Sequence, residues 1–160
     1  MNNDITVVNN ETYNVVRGYI VEAQRKVSVA VNSAMVTAYW NIGQQIYEAC
    51  GENERAEYGK QLLQYLAENL TKEFGKGFTV RNLQMMRQFY LTFSNANALR
   101  SELSWTHYRS LMRVEDEDAR DFYLEETVKC GWSSRQLDRQ INSFYYQRIL
   151  ASKDKGSVSE

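Results

Sequence analysis

The sequence predicts an all-α fold, and three observations carry that prediction. Apolar residues recur every three or four positions along almost the whole chain, the period of a helix with one buried face. The 160 residues include no proline, where about 5%, or roughly eight, would be ordinary, so long helices run without a breaker. No segment sustains the apolar–polar alternation of a half-buried strand. With 43% hydrophobic and 24% charged residues, the chain has the balance of one folded domain. Six Phe, eleven Tyr and three Trp supply bulky core material.

The elements follow in order. Val16, Ile20, Ala23, Val27, Ala30, Val31, Ala34, Ala38, Ile42 and Ile46 define a long first helix from a cap at Asn10 to a stop at Gly51. Some 38 residues would reach roughly 57 Å, so the pattern predicts a bend near Gly18 or Gly43, or a protruding end. From Val29 to Ile42 the segment is apolar on most sides, as for a helix surrounded by neighbours. After a polar loop, Gly51 to Arg55, a second helix runs from Ala56 to Phe74 with Leu62, Leu63, Leu66 and Leu70 inward. Gly75-Lys76-Gly77 breaks it, and Thr79 caps a third helix to Phe93. Ser94 to Ser101 is a polar loop, with room for a two-stranded wing between Asn95 and Leu103. Ser104 caps a fourth helix to Val114, and Asp116 opens a fifth that ends at Gly131. Ser133 and Gln136 form a capping box for a sixth, running to Leu150. Residues 1–150 thus make one helical domain, and 151–160 a frayed polar tail.

Charge is unevenly placed. The net is −1, yet residues 71–113 carry seven basic side chains (Lys72, Lys76, Arg81, Arg87, Arg100, Arg109 and Arg113) against Glu73 and Glu102. Residues 114–131 carry seven acidic against two basic. Asp116, Glu117 and Asp118 read as first-turn acids complementing a helix dipole. The basic block coincides with a helix–turn–helix pattern, Tyr65 to Leu83, and so predicts a phosphate-contacting face.

On the third helix Leu83, Met86, Phe89, Tyr90 and Phe93 fall on one arc, with Arg81, Gln84, Gln88 and Thr92 opposite and Arg87 on the flank. Arg bonds guanine and Gln bonds adenine bidentately, and the start of a recognition helix enters the major groove. Lys76 sits at that start, where free amides favour phosphate. On the sixth helix Leu137, Ile141, Phe144 and Tyr145 point in, and Arg135, Arg139, Asn142 and Tyr146 point out. The tryptophans Trp40, Trp105 and Trp132, and Met85, Met86 and Met112, read as packing. His107, the lone histidine, is a structural group or a phosphate hydrogen-bond donor.

Several chemistries find no support. Cys50 and Cys130 form no Cys-x-x-Cys pair, and one histidine builds no His-based zinc site, so no metal or cofactor is expected. No acidic residue stands two before any lysine, so the carboxylate–lysine element of restriction-type nucleases is absent, as are phosphate-binding and nucleophile-elbow loops. The chain alone is read as non-catalytic. No apolar run reaches 18 residues and no secretory signal opens the chain, which places it in the cytoplasm, away from membranes.

Tyr39-Trp40-Asn41-Ile42-Gly43, Tyr58-Gly59-Lys60, Phe74-Gly75-Lys76-Gly77-Phe78, Arg81-Asn82-Leu83, Met86-Arg87-Gln88-Phe89-Tyr90, Ser104-Trp105-Thr106-His107-Tyr108, Phe122-Tyr123-Leu124 and Gly131-Trp132-Ser133-Ser134-Arg135-Gln136-Leu137 resemble the N-terminal domain of the YhcG-like bacterial proteins over about residues 20–150. The resemblance implies a helical, winged-helix or helix–turn–helix DNA-binding module that precedes a restriction-endonuclease-like nuclease domain. It carries over Lys76, Arg81, Asn82, Arg87, His107, Arg109 and Arg135 as contacts and no catalytic residue. The reading is therefore a DNA-targeting module, with RNA as the other polyanion and Lys76, Arg81, Gln84, Arg87, Gln88, His107, Arg109, Arg135 and Arg139 as binding residues. Its rival is a protein-interaction or homodimerisation module built on the over-long first helix.

Overall fold

The computed structural model describes residues 2–50 and 56–157, with side chains over 9–50 and 57–156. Seven α-helices follow one another: α1 (Asn2–Cys50), α2 (Ala56–Phe74), α3 (Val80–Thr92), α4 (Trp105–Met112), α5 (Glu117–Cys130), α6 (Ser134–Asn142) and α7 (Tyr145–Ser157). A 3-10 turn, Ala96–Ala98, joins α3 to α4. Among the described residues there is no strand, so the segment that had room for a wing holds a bonded turn: Asn95 caps it by accepting from the Asn97 amide at 3.0 Å. The loop expected over Gly51 to Arg55 lies outside the described residues.

Helix α1 is longer than the sequence pattern implied. It has 49 residues, roughly 74 Å at 1.5 Å per residue, and passes through Asn10, Gly18 and Gly43 without a break. Asn10 is not its cap. The side chains of residues 9–28 are all exposed, so the helix projects. Burial begins at Val36, and Ala30, Val31, Ala34 and Met35 remain exposed. The apolar stretch from Val29 is thus only half enclosed, because neighbouring helices reach α1 from Val36 onward.

Two clusters form the core. The larger joins Val36 and Trp40 of α1 to Phe89 and Phe93, Tyr108 and Leu111, Tyr123 and Leu124, and Leu137 of α6. The smaller joins Ile46 and Cys50 to Leu63, Leu83 and Met86. Tyr39 and Trp105 pack against both, with their ring centroids 5.0 Å apart. Phe89 is the aromatic centre, with Trp105 at 5.2 Å and Tyr108 at 4.9 Å. Burial pushes the Tyr108 phenol above its ordinary range; its oxygen accepts from the Arg100 amide at 2.7 Å.

Helices α1 and α3 make the closest crossing. Gly43 is buried, and a Cβ there would fall on the Met86 carbonyl and 3.1 Å from Tyr90 Cβ. Nearby, the buried Trp40 indole N–H donates to the Phe93 carbonyl at 2.7 Å, satisfying an acceptor at the α3 C-terminus that would otherwise be orphaned.

Most expected caps form. Thr79 accepts from the Asn82 amide at 3.1 Å, Asp116 from the Asp118 amide at 3.0 Å, and Ser133 and Gln136 close a capping box. Gly131 ends α5 at φ 63°, the left-handed conformation glycine adopts without strain. His107 completes an unusual box. Its Nδ1 accepts from the Ser104 amide at 3.0 Å, which places the ring proton on Nε2, and that atom donates to the Trp132 carbonyl at 2.8 Å. One imidazole therefore ties the start of α4 to the α5–α6 connection.

The sixth helix is two helices. Phe144 has φ 57° and separates α6 from α7. The break turns Phe144 outward, 64% exposed, and swings Tyr146 inward, 5.1 Å from Phe122. Both directions reverse those expected of a continuous helix. The Tyr123 hydroxyl accepts the Tyr146 amide at 3.1 Å, so the new helix start is capped from the core. Helix α7 then continues through the polar segment from Ala151 as far as Ser157.

Two substitutions probe these contacts. Gly43→Ala forces the α1 and α3 backbones apart and is expected to destabilise by about 3 kcal/mol, read as a lower denaturant midpoint. His107→Ala removes the reciprocal half of the capping box, leaving the Ser104 amide without its acceptor and the Trp132 carbonyl without its donor, a loss of about 1–3 kcal/mol. His107→Gln retains the cap, since Gln reaches back to an N-cap amide, and should recover part of that loss in thermal unfolding.

Candidate functional site

The packing above decides which cations meet. Leu83, Met86 and Phe89 turn one face of α3 into the core, and this leaves Arg81, Gln84 and Gln88 exposed on the other. Tyr108 and Leu111 do the same for α4 and leave Thr106, Arg109 and Arg113 exposed at helical spacing. Where these outer faces adjoin, a groove of about 380 Å³ is lined by Arg81 and Met85, Thr106, Arg109 and Ser110, Arg113, and Asp138 of α6.

The charges in this groove are unequal. Arg113 Nη2 lies 2.6 Å from Asp138 Oδ1, a surface pair worth about 0–1 kcal/mol. Arg81 and Arg109 have no carboxylate partner among the described residues. Arg81 also stands in the first turn of α3, whose amides are short of acceptors. The groove thus offers two uncompensated guanidinium groups and a threonine hydroxyl beside a positive helix end, an arrangement that attracts an anion.

The remaining expected contacts lie elsewhere. Lys76 is exposed between Gly75 (φ 83°) and Gly77 (φ 113°), five residues ahead of Arg81. Asn82 belongs to the turn itself, its side-chain amide donating to the Gly77 carbonyl at 3.1 Å. Gln88 donates to Thr92 Oγ1 at 3.2 Å. Arg135 and Arg139 are exposed on α6, Arg135 one turn before Asp138 on the same side. Two residues depart from expectation. Arg87 is half-buried, and its Nε is buried without a hydrogen-bond partner, because the flank of α3 it occupies is covered. His107 has both ring nitrogens engaged in the fold, which leaves neither for a phosphate. Arg100, part of the basic block, pairs with Glu125 of α5 at 2.5 Å.

Met85, Thr106 and Asp138 were not singled out from sequence as site residues, and Arg113 was named only as part of the basic block. The Thr106–Arg109–Arg113 stripe could have been found from its spacing. Asp138 comes to the groove only through tertiary packing. A second concavity, about 580 Å³, lies between α1 and α2 against Ile42, Ile46, Leu62, Leu66, Leu70 and Phe74 and is almost wholly apolar. Among the described residues no three His, Cys, Asp or Glu side chains are grouped to hold a metal ion, and no helix is long and apolar enough to cross a membrane.

Residues 15–148 match the DUF1016 N-terminal domain. The chain is also 34% identical, over 174 aligned residues, to the Escherichia coli (strain K12) protein named "Putative nuclease YhcG", an alignment covering 88% of this chain and 46% of that relative. The chain spans about half the length of the curated relative it matches. No solved structure matches it. The family match enters within α1 and ends within α7, taking in every helix that lines the cationic groove, and the chain belongs to the DUF1016 N-terminal domain family.

Proposed function

We propose that this chain is the nucleic-acid-targeting domain of a longer nuclease, that its ligand is DNA, and that it has no catalytic part of its own. The observation that carries this reading is the groove lined by Arg81 and Arg109, from two different helices, neither of which has a carboxylate partner among the described residues. A nuclease acts on a polyanion, and the name of the Escherichia coli relative supports a ligand of that class. On this reading α2, the glycine turn and α3 act as a helix–turn–helix unit. Lys76 and Arg109 hold phosphates, and Arg81, Gln84 and Gln88 face the DNA groove. Arg135 and Arg139 extend the same field from α6. His107 serves the fold instead.

Each phosphate contact contributes about −0.9 to the slope of log affinity against log salt. Arg109→Ala should reduce that slope by about one and Arg81→Ala should relax base preference, and each should weaken retention of a short duplex in a gel-shift titration by several fold. Arg100→Ala, which removes a side chain already paired with Glu125, should leave binding unchanged. If the Arg81→Ala/Arg109→Ala double variant holds duplex DNA as tightly as the parent, with the same salt slope, the assignment is wrong. Stronger retention of RNA than of DNA at equal length would reassign the ligand.

A further inference from the structure

The projecting end of α1 is not used by the groove or by the core. Among its apolar residues, Tyr13, Val16, Ile20, Ala23, Val27 and Ala30 form one stripe that steps by three and four in strict alternation, with Val15 and Val21 outside it. That is a 3.5-residue repeat, the mark of a helix that winds against another helix, not of one lying on a globular core. All six are exposed, with Tyr13 at 65%, Ile20 at 55% and Val27 at 63%. Together with the flanking Tyr19 and Val31, they expose on the order of 700 Å², close to the roughly 800 Å² per partner of a stable interface.

We propose that this segment pairs antiparallel with the same segment of a second copy of this chain, over about residues 9–34. The sizes of the side chains favour that direction. Tyr13, Ile20 and Val27 occupy one set of seam positions, and Val16, Ala23 and Ala30 the other. An antiparallel pair sets each member of the first set against a member of the second: Tyr13 against Ala30, Ile20 against Ala23, and Val27 against Val16. Every layer then holds one larger and one smaller or similar residue, so the volumes interlock. A parallel pair would stack Tyr on Tyr and Ala on Ala, alternating crowding with voids. Antiparallel helices also align their dipoles favourably.

Charge agrees with this register. The cations beside the seam are Arg17 and Lys26, which come opposite Gln24 and Tyr19 of the second copy, so no like charges face each other. Glu22 and Arg25 pair with each other at 2.7 Å and lie away from the seam. The register also keeps the contact clear of Val36, where α1 enters its own core.

The test is the mass of the full chain by light scattering at about 100 μM. Twice the 18.7 kDa chain mass is expected, falling to the single mass in Ile20→Glu/Val27→Glu and unchanged in Val21→Glu, which lies off the seam. A monomeric parent, or a dimer that survives Ile20→Glu/Val27→Glu, overturns the proposal. Direction is read by oxidation in a Cys130→Ser background. Ile20→Cys chains mixed with Ala23→Cys chains should cross-link to one another, whereas efficient cross-linking of Ile20→Cys chains alone would establish a parallel pair and overturn the arrangement. Retained near-ultraviolet dichroism in the glutamate variant shows that loss of the dimer is not loss of the fold.

Discussion

The crossing of α1 over α3 at Gly43 is the constraint on which the rest of the molecule depends. Only a residue without a Cβ lets the α1 backbone rest against the Met86 carbonyl. At that separation Leu83, Met86 and Phe89 are fully covered, and the rotation of α3 about its axis is fixed. Once it is fixed, Arg81, Gln84 and Gln88 fall on the exposed face of α3. The Trp40–Phe93 hydrogen bond acts one turn further along and prevents α3 from sliding on α1. The position of the cations is therefore a consequence of backbone packing on the opposite side of the helix.

Helix α4 is held by different means for the same result. It has eight residues, too few to be stable alone, and the fold secures both its start and its buried face. His107 links its N-terminus to the Trp132 carbonyl, while Tyr108 enters the aromatic cluster around Phe89. Between them these two neighbours leave Arg109 a single direction. A short helix anchored this firmly presents its cation as rigidly as a long one, and this is how two guanidinium groups from separate helices come to share one groove.

Much of this was legible in the sequence. Helices α2 to α5 fall where the caps and glycines place them, because Thr79, Ser104, Asp116 and Gly131 act within a single turn of chain. The inward arc of α3 was legible for the same reason, as a helical period needs no knowledge of the partner. What could not be read depends on contacts between distant segments. The break at Phe144 follows from the Tyr123 hydroxyl meeting an amide 23 positions away. The role of His107 follows from a carbonyl 25 positions away. Asp138 joins the groove only because α6 packs on α4. The true start of α1 was missed because Asn10 has the chemistry of a cap, and a chemically suitable residue caps a helix only where the helix ends.

A net charge of −1 says little about a polyanionic partner, because net charge is the wrong quantity at this range. Exposed charges farther apart than about 8 Å are largely screened at physiological salt, so a ligand in the groove responds to the few groups that line it. Two of the acids at α5 are spent locally: Asp116 bonds the amides of the helix's first turn, and Glu125 pairs with Arg100. Within the groove the one carboxylate, Asp138, is committed to Arg113. That pair is exposed and weak, so an incoming phosphate can compete with Asp138 for Arg113 without first breaking a buried contact. Arg81 and Arg109 need no such exchange. On the proposed reading the groove takes an anion at two positions and gains a third by that exchange, and this depends on the local arrangement, not on the total over 160 residues.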